Sequence, residues 1–199
     1  MAGIRAQRKQ ETRLAIIDAG VQLFGTKGYD RTSMEDIATA AGIGKGTIYG
    51  YFAAKQEIFL AFCDEEVERS FRILRESVDP EAPLLQQLVT LFMLQFRFVT
   101  KNREFGRHML REMAFPRVSS PATLEHDQRY LDMLEGLLEK AQERGAIKAD
   151  ALLPTASASF YLLYLGCLSG WYGGYWATEQ DLEEAMQRLF RQVLEGIGS

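Results

Sequence analysis

An all-α fold of about nine helices is what this sequence predicts, and three observations carry that reading. Apolar side chains recur at three- and four-residue intervals along nearly the whole chain, the period of a helix with one buried face. No run alternates apolar and polar residues convincingly over the length of a strand. Glycine and proline fall at the ends of periodic runs, at Gly28, Gly42, Pro80, Pro83, Pro116, Gly145, Pro154 and the pair Gly173 and Gly174. With 199 residues, 47% of them hydrophobic, the chain can bury one large core or two small ones. The expected division is residues 1–55, reaching into a linking helix over 55–77, and residues 56–199.

Leu14, Ile17, Val21 and Phe24 predict a first helix over about 8–27, closed by Gly28. Arg5 just before it and Arg8, Lys9 and Arg13 on it form either a solvated face or frayed terminus, or a set of phosphate contacts. Ser33 and Asp36 resemble a capping box that opens the second helix and leaves the Thr32 hydroxyl the freer of the two. Ala38 is small enough for a close helix crossing, and Gly42 takes the positive φ of a reversal at little cost. Ile37, Ala41, Ile43 and Ile48 supply the shared apolar face. Gly44-Lys45-Gly46-Thr47 then opens a third helix with almost no bulk, so its end can approach another surface closely. The surface this pattern points to is the major groove of DNA.

Tyr51 and Phe52 close that small core, and Lys55 begins a helix to about residue 77 with Ile58, Phe59, Phe62, Val67, Phe71 and Leu74 on one side. A lysine in a first turn opposes the helix dipole, so charge offered to a phosphate is the better explanation for it. Residues 84–102 form a helix too apolar for a surface position, and 103–114 a shorter one ending in the irregular FPRVSSP loop. Leu124, Tyr130, Leu131, Leu134, Leu137, Leu138 and Ala141 mark the next helix, over about 123–144. Asp150 and Pro154 start another, and Thr178 with Asp181 caps the last, with Leu182, Met186, Leu189, Phe190, Val193 and Ile197 inward.

Net charge is −4, but it is unevenly spread. Up to Lys55 eight basic residues face five acidic ones, +3, leaving 15 basic and 22 acidic in the remainder, −7. Two cysteines, Cys63 and Cys167, both lie in apolar helical runs, which fits a reducing cytosol better than a disulfide framework. Without a signal-length or membrane-length apolar run, a soluble cytoplasmic protein with no membrane partner is expected. His108 and His126 are far from each other and from the cysteines, so neither a metal nor another cofactor is called for.

Residues 32–55 resemble the DNA-binding domain of TetR-family transcriptional regulators. The match is carried by Thr32, Ile37, Ala38, Ala41, Gly42, Lys45, Gly46, Thr47, Tyr49, Tyr51, Phe52 and Lys55. Gly44 departs from it where serine is common, Gly50 where a larger side chain is usual, and Ala54 where a capping serine or aspartate is frequent. The resemblance implies a homodimer on a palindromic operator in double-stranded DNA, released when a small-molecule effector binds the C-terminal part. It implies contacts from Lys45, Gly46, Thr47, Tyr49, Tyr51 and Lys55, with Thr32 and Ser33 on the DNA backbone.

In the C-terminal part Phe92, Gln95, Phe96, Met109, Met113, Tyr130, Met133, Tyr161 and Tyr164 come from four helices that can converge on one chamber for an apolar or aromatic effector. For any one of them alone, ordinary core packing is the favoured reading. Leu165, Leu168, Trp171, Leu189 and Val193 form a broad apolar face on the final two helices, with Gly166 and Gly170 permitting close approach, and a dimer interface is expected there. Two rival readings remain: a small-molecule-binding all-α protein without specific DNA recognition, and an all-α enzyme, for which no nucleophile and base pair or glycine-rich phosphate loop after a strand is present.

Overall fold

The structure, a computed structural model, describes residues 2–114 and 121–197. The FPRVSSP loop therefore lies, but for its last proline, outside the described residues. Among the described residues there are nine helices and no strand: α1 (Ala2–Thr26), α2 (Met34–Ala40), α3 (Lys45–Ile48), α4 (Lys55–Ser77), α5 (Leu84–Thr100), α6 (Arg103–Ala114), α7 (Pro121–Glu143), α8 (Leu153–Gly173) and α9 (Glu179–Ile197). None of these is long and apolar enough to cross a membrane.

The first helix begins six residues before the expected start, because nothing from Ala2 onward breaks it except the tolerated Gly3. Its inward face differs from the expected one at a single position. Of the expected stripe Ile17 and Phe24 are buried and Val21 packs against the core, while Leu14 is 39% exposed and Ile16 is buried instead. Helix α7 starts at Pro121, where the missing N–H of proline costs no helical bond.

Helices α1, α2 and α3 pack together, and α1 lies on α4 and α6. Ile37, Ala38 and Ile48 are at most 1% exposed, so the crossing of α2 and α3 closes around them. Burying each isoleucine contributes about 1.5–3 kcal/mol, which is what allows a four-residue helix to persist at all. Gly42 makes the reversal at φ 68°. In the C-terminal part α5 is enclosed by α4, α6 and α9, and α8 packs between α7 and α9. Phe92 and Phe190 meet edge to face at 5.1 Å, and Phe190 meets Phe160 the same way at 5.2 Å. One continuous apolar core thus runs from Ile16 to Phe190.

Candidate nucleic-acid interface and effector chamber

Ser33 caps α2 as expected: its hydroxyl accepts from the Asp36 N–H at 3.1 Å, and the Asp36 carboxylate accepts from the Ser33 N–H at 2.8 Å. Lys27 donates to the same carboxylate at 2.6 Å. These bonds, the Lys27 one foremost, hold the Asp36 carboxyl well below the usual range. The start of α3 has no such side-chain cap, since Gly44 sits in extended backbone with nothing to offer.

The expected contact residues separate into an outer and an inner group. Lys45, Gly46, Thr47 and Tyr49 are all exposed, Tyr49 by 53%, and lie together along α3 and the turn after it. A Cβ on Gly46 would meet nothing within 4 Å, so this edge is open to close approach. Lys45 is not idle: its Nζ donates to Glu35 Oε2 at 2.8 Å across the two helices, which raises its pKa. Ser33 is exposed at the start of α2.

Thr32, Tyr51 and Lys55 are placed otherwise. Thr32 is 2% exposed, and its hydroxyl donates to the Gly28 carbonyl at 2.8 Å, so it ties the α1–α2 turn instead of standing free. Tyr51 is half-buried against the core. Lys55 Nζ donates to the carbonyls of Tyr29 at 2.7 Å and Thr32 at 3.0 Å, and lies 4.4 Å from the Tyr29 ring centroid. A lysine in the first turn of α4 is thereby explained without a phosphate, as a clamp on the carbonyls of the preceding turn. The Glu57 carboxylate accepts from the Ala53 N–H at 2.7 Å and compensates for Ala54 as a poor cap.

One contact that sequence reading missed joins this unit to the rest. The Tyr29 ring stacks on His108 of α6 with centroids 3.8 Å apart, and Phe59 meets His108 at 5.0 Å. Arg111, one turn further along α6, bonds His108 Nδ1 at 2.7 Å and reaches Asp30 at 3.7 Å. Asn102, expected inside α5, instead caps α6 by accepting from the Phe105 N–H at 3.0 Å while donating to the Gly25 carbonyl at 3.1 Å. An asparagine directly before a helical run was the available signal for that cap.

Behind α6 lies a chamber. Of the nine effector candidates, Gln95, Met109, Met113, Tyr130 and Tyr164 line it, while Met133 packs against the core. Sequence reading missed the α4 wall, formed by Cys63, Glu66, Val67 and Ser70, and also His126. Phe92 and Phe96 are fully buried elsewhere: Phe92 against Tyr164 at 4.9 Å, Phe96 against Trp171 at 5.0 Å. Tyr161 packs on Tyr130 at 4.8 Å and faces an open groove of about 1020 Å³ between α6, α8 and the turn at Tyr29. Met113 borders both spaces. His126 Nδ1 lies 2.6 Å from Asp64.

The candidate interface residues on α8 and α9 also divide. Leu168 is fully buried and Leu165 8% exposed, so both pack within the chain and cannot meet a partner. Trp171, Leu189 and Val193 are half-buried. The apolar residue α8 does turn outward is Leu162, 64% exposed, in line with exposed Gly166, Ser169 and Gly173. The inward face of α8 was mistaken for the outward one because almost every position on this helix is apolar or small.

Residues 16–62 match the family described as bacterial regulatory proteins, tetR family. A Haemophilus influenzae protein described as an uncharacterized HTH-type transcriptional regulator is 32% identical over 116 residues, 56% of this chain and 55% of that protein, so the match spans about half its length. The HTH-type transcriptional regulator AcrR of Shigella flexneri is 28% identical over 181 residues, covering 86% of this chain and 83% of AcrR. Among solved structures, the FadR of Thermus thermophilus, a TetR-family transcriptional repressor in complex with lauroyl-CoA, is similar with a TM-score of 0.73 at 22% identity. That superposition covers 92% of this chain and 94% of FadR.

Proposed function

This chain is a member of the tetR family of bacterial regulatory proteins, and from that premise we propose a ligand-responsive transcriptional repressor working in the cytoplasm. As a homodimer it sets its two α3 edges into the half-sites of a palindromic operator. A small apolar or aromatic effector entering the chamber releases it. Lys45, Gly46, Thr47 and Tyr49 are the proposed contacts, with Ser33 on the DNA backbone, while Thr32, Tyr51 and Lys55 hold the edge in place from behind. The similar Thermus FadR is in complex with lauroyl-CoA, whose lauroyl chain is apolar.

The observation that carries the reading is the double duty of α6. Met109 and Met113 on this helix line the chamber, and His108, next to Met109, stacks on Tyr29 at the base of the helix-turn-helix. A ligand that displaces the methionines therefore acts on the element that braces the DNA-reading unit.

Selection of bound duplexes from random DNA tests it. The expected winners are palindromes with half-sites about 34–36 Å apart, or a multiple of that, bound with an affinity that falls steeply with salt. Binding indifferent to sequence would overturn the reading and leave a small-molecule-binding protein.

A further inference from the structure

The chamber contains two buried polar atoms that the protein leaves without a partner. Gln95 is 5% exposed; its Oε1 accepts from the Tyr130 hydroxyl at 2.9 Å, and its Nε2 donates to nothing. Tyr164 is 2% exposed, and its hydroxyl also has no partner. Both residues line the same cavity. Buried donors carry the full loss of their hydration when unpaired, so such groups persist where something supplies an acceptor.

The remaining walls decide which acceptor fits. Val67, Phe98, Val99, Met109 and Met113 make the space mostly apolar. Its acidic wall residue is Glu66, and His126 beside it is held by Asp64; among the described residues no lysine or arginine lines it. Burial pushes the Tyr130 and Tyr164 phenols well above their ordinary range and the Cys63 thiol up as well, so all three stay protonated and neutral. A carboxylate entering here would lose its water beside Glu66 with no lysine or arginine to pair with. A neutral oxygen has no such penalty.

Free space in the chamber is about 20 Å³, enough for one water molecule, which needs about 10–15 Å³. A larger guest must move side chains. Met109 and Met113, unbranched and flexible, are the ones able to yield, and Met113 opens toward the outer groove.

We infer that the effector is a neutral apolar molecule bearing a carbonyl oxygen, of the ketone, ester or amide class, which accepts hydrogen bonds from Gln95 Nε2 and the Tyr164 hydroxyl. The carbonyl takes the place one water can occupy and reproduces its bonds, so the displacement loses no hydrogen bonding. This inference rests on the chamber being the effector site.

The test compares matched probes on two scaffolds: 4-phenyl-2-butanone, butylbenzene and 3-phenylpropionate, then 2-undecanone, decane and decanoate. Binding to the full-length protein is read by calorimetry, and Tyr164→Phe and Gln95→Leu are measured alongside. Tyr164→Phe keeps the ring against Phe92, so it is the variant expected to fold unaltered. On at least one scaffold the ketone should bind about 10-fold or more tighter than hydrocarbon and carboxylate, with each variant cutting the ketone-to-hydrocarbon ratio about 3- to 10-fold. Equal binding of ketone and hydrocarbon, a preference for the carboxylate, or a ratio unmoved in Tyr164→Phe overturns the carbonyl inference and leaves the chamber reading standing. Absence of binding by all six probes overturns both.

Discussion

Lys45 reaches DNA, on the proposed reading, only by leaving Glu35, and two exposed charges paired in water hold each other weakly enough for a phosphate or a guanine edge to compete. Replacing it with alanine should lower operator affinity about 3- to 10-fold and reduce the salt slope by about one, without changing the melting temperature appreciably. Tyr49→Phe, which removes one exposed hydroxyl, should weaken binding a few-fold, roughly the worth of one neutral hydrogen bond. Fluorescence anisotropy at fixed salt checks both, and unchanged affinity would exclude these residues from the contact. Asp36 gives a prediction of another kind. Its folded carboxyl titrates below the ordinary value of about 3.9, so the stability it lends is present above that pH and is lost as pH falls below it. Asp36→Asn should therefore melt lower than the parent at pH 7, and the gap should begin to narrow once pH falls below about 3.9, so that it is smaller at pH 3. A gap that stays constant between the two would mean that the charge on Asp36 contributes nothing.

At the scale of elements, α6 is held so closely that its position is a packing statement. A Cβ on Gly106 would collide with the Val99 carbonyl and the Tyr172 hydroxyl, so only glycine lets α6 approach the end of α5 and α8 at once. Gly106→Ala should destabilise by about 1–3 kcal/mol in urea unfolding, the range of an overpacked core site. Gly136, in α7 with open space around it, is the matched control, and alanine there should stabilise by about 0.5–1 kcal/mol. Equal effects at the two sites would show that α6 can shift freely. The existence of α6 was legible in the sequence from the run ending before Pro116, and so was the capping box at Ser33, because caps and periodicity are local. The stack of Tyr29 on His108 was not, since 79 positions separate the two and neither ring belongs to a pattern. The same limit explains Lys55 and Thr32. Their types and spacing matched DNA contacts, yet the carbonyls they bind come from a turn whose shape no motif encodes.

For the whole molecule, α8 is the element a single chain leaves incomplete. It has no charged residue over its length, and its outward line of Leu162, Gly166, Ser169 and Gly173 stays exposed. A helix apolar or small on every side is stable in water only when all its sides are covered. On the proposed reading a second copy of the chain, related by a two-fold axis, covers this line together with the half-buried Leu189 and Val193 on α9. Nothing bulky stands at Gly166, where an added Cβ meets no atom within 4 Å, so a partner's helix can come close. Light scattering at micromolar concentration should thus give twice the mass of one chain. Leu162→Glu should halve that mass while leaving the helical content and melting of the single chain nearly intact. Leu168→Glu, at a fully buried site, should unfold the chain itself, so the pair separates an interface from a core. Because two α3 edges at a fixed separation are what a palindrome requires, the Leu162→Glu monomer should also lose operator affinity by far more than Lys45→Ala does. A monomeric variant with parent-like affinity would detach DNA binding from dimerisation and, with it, from any control exerted through the spacing of the two readers.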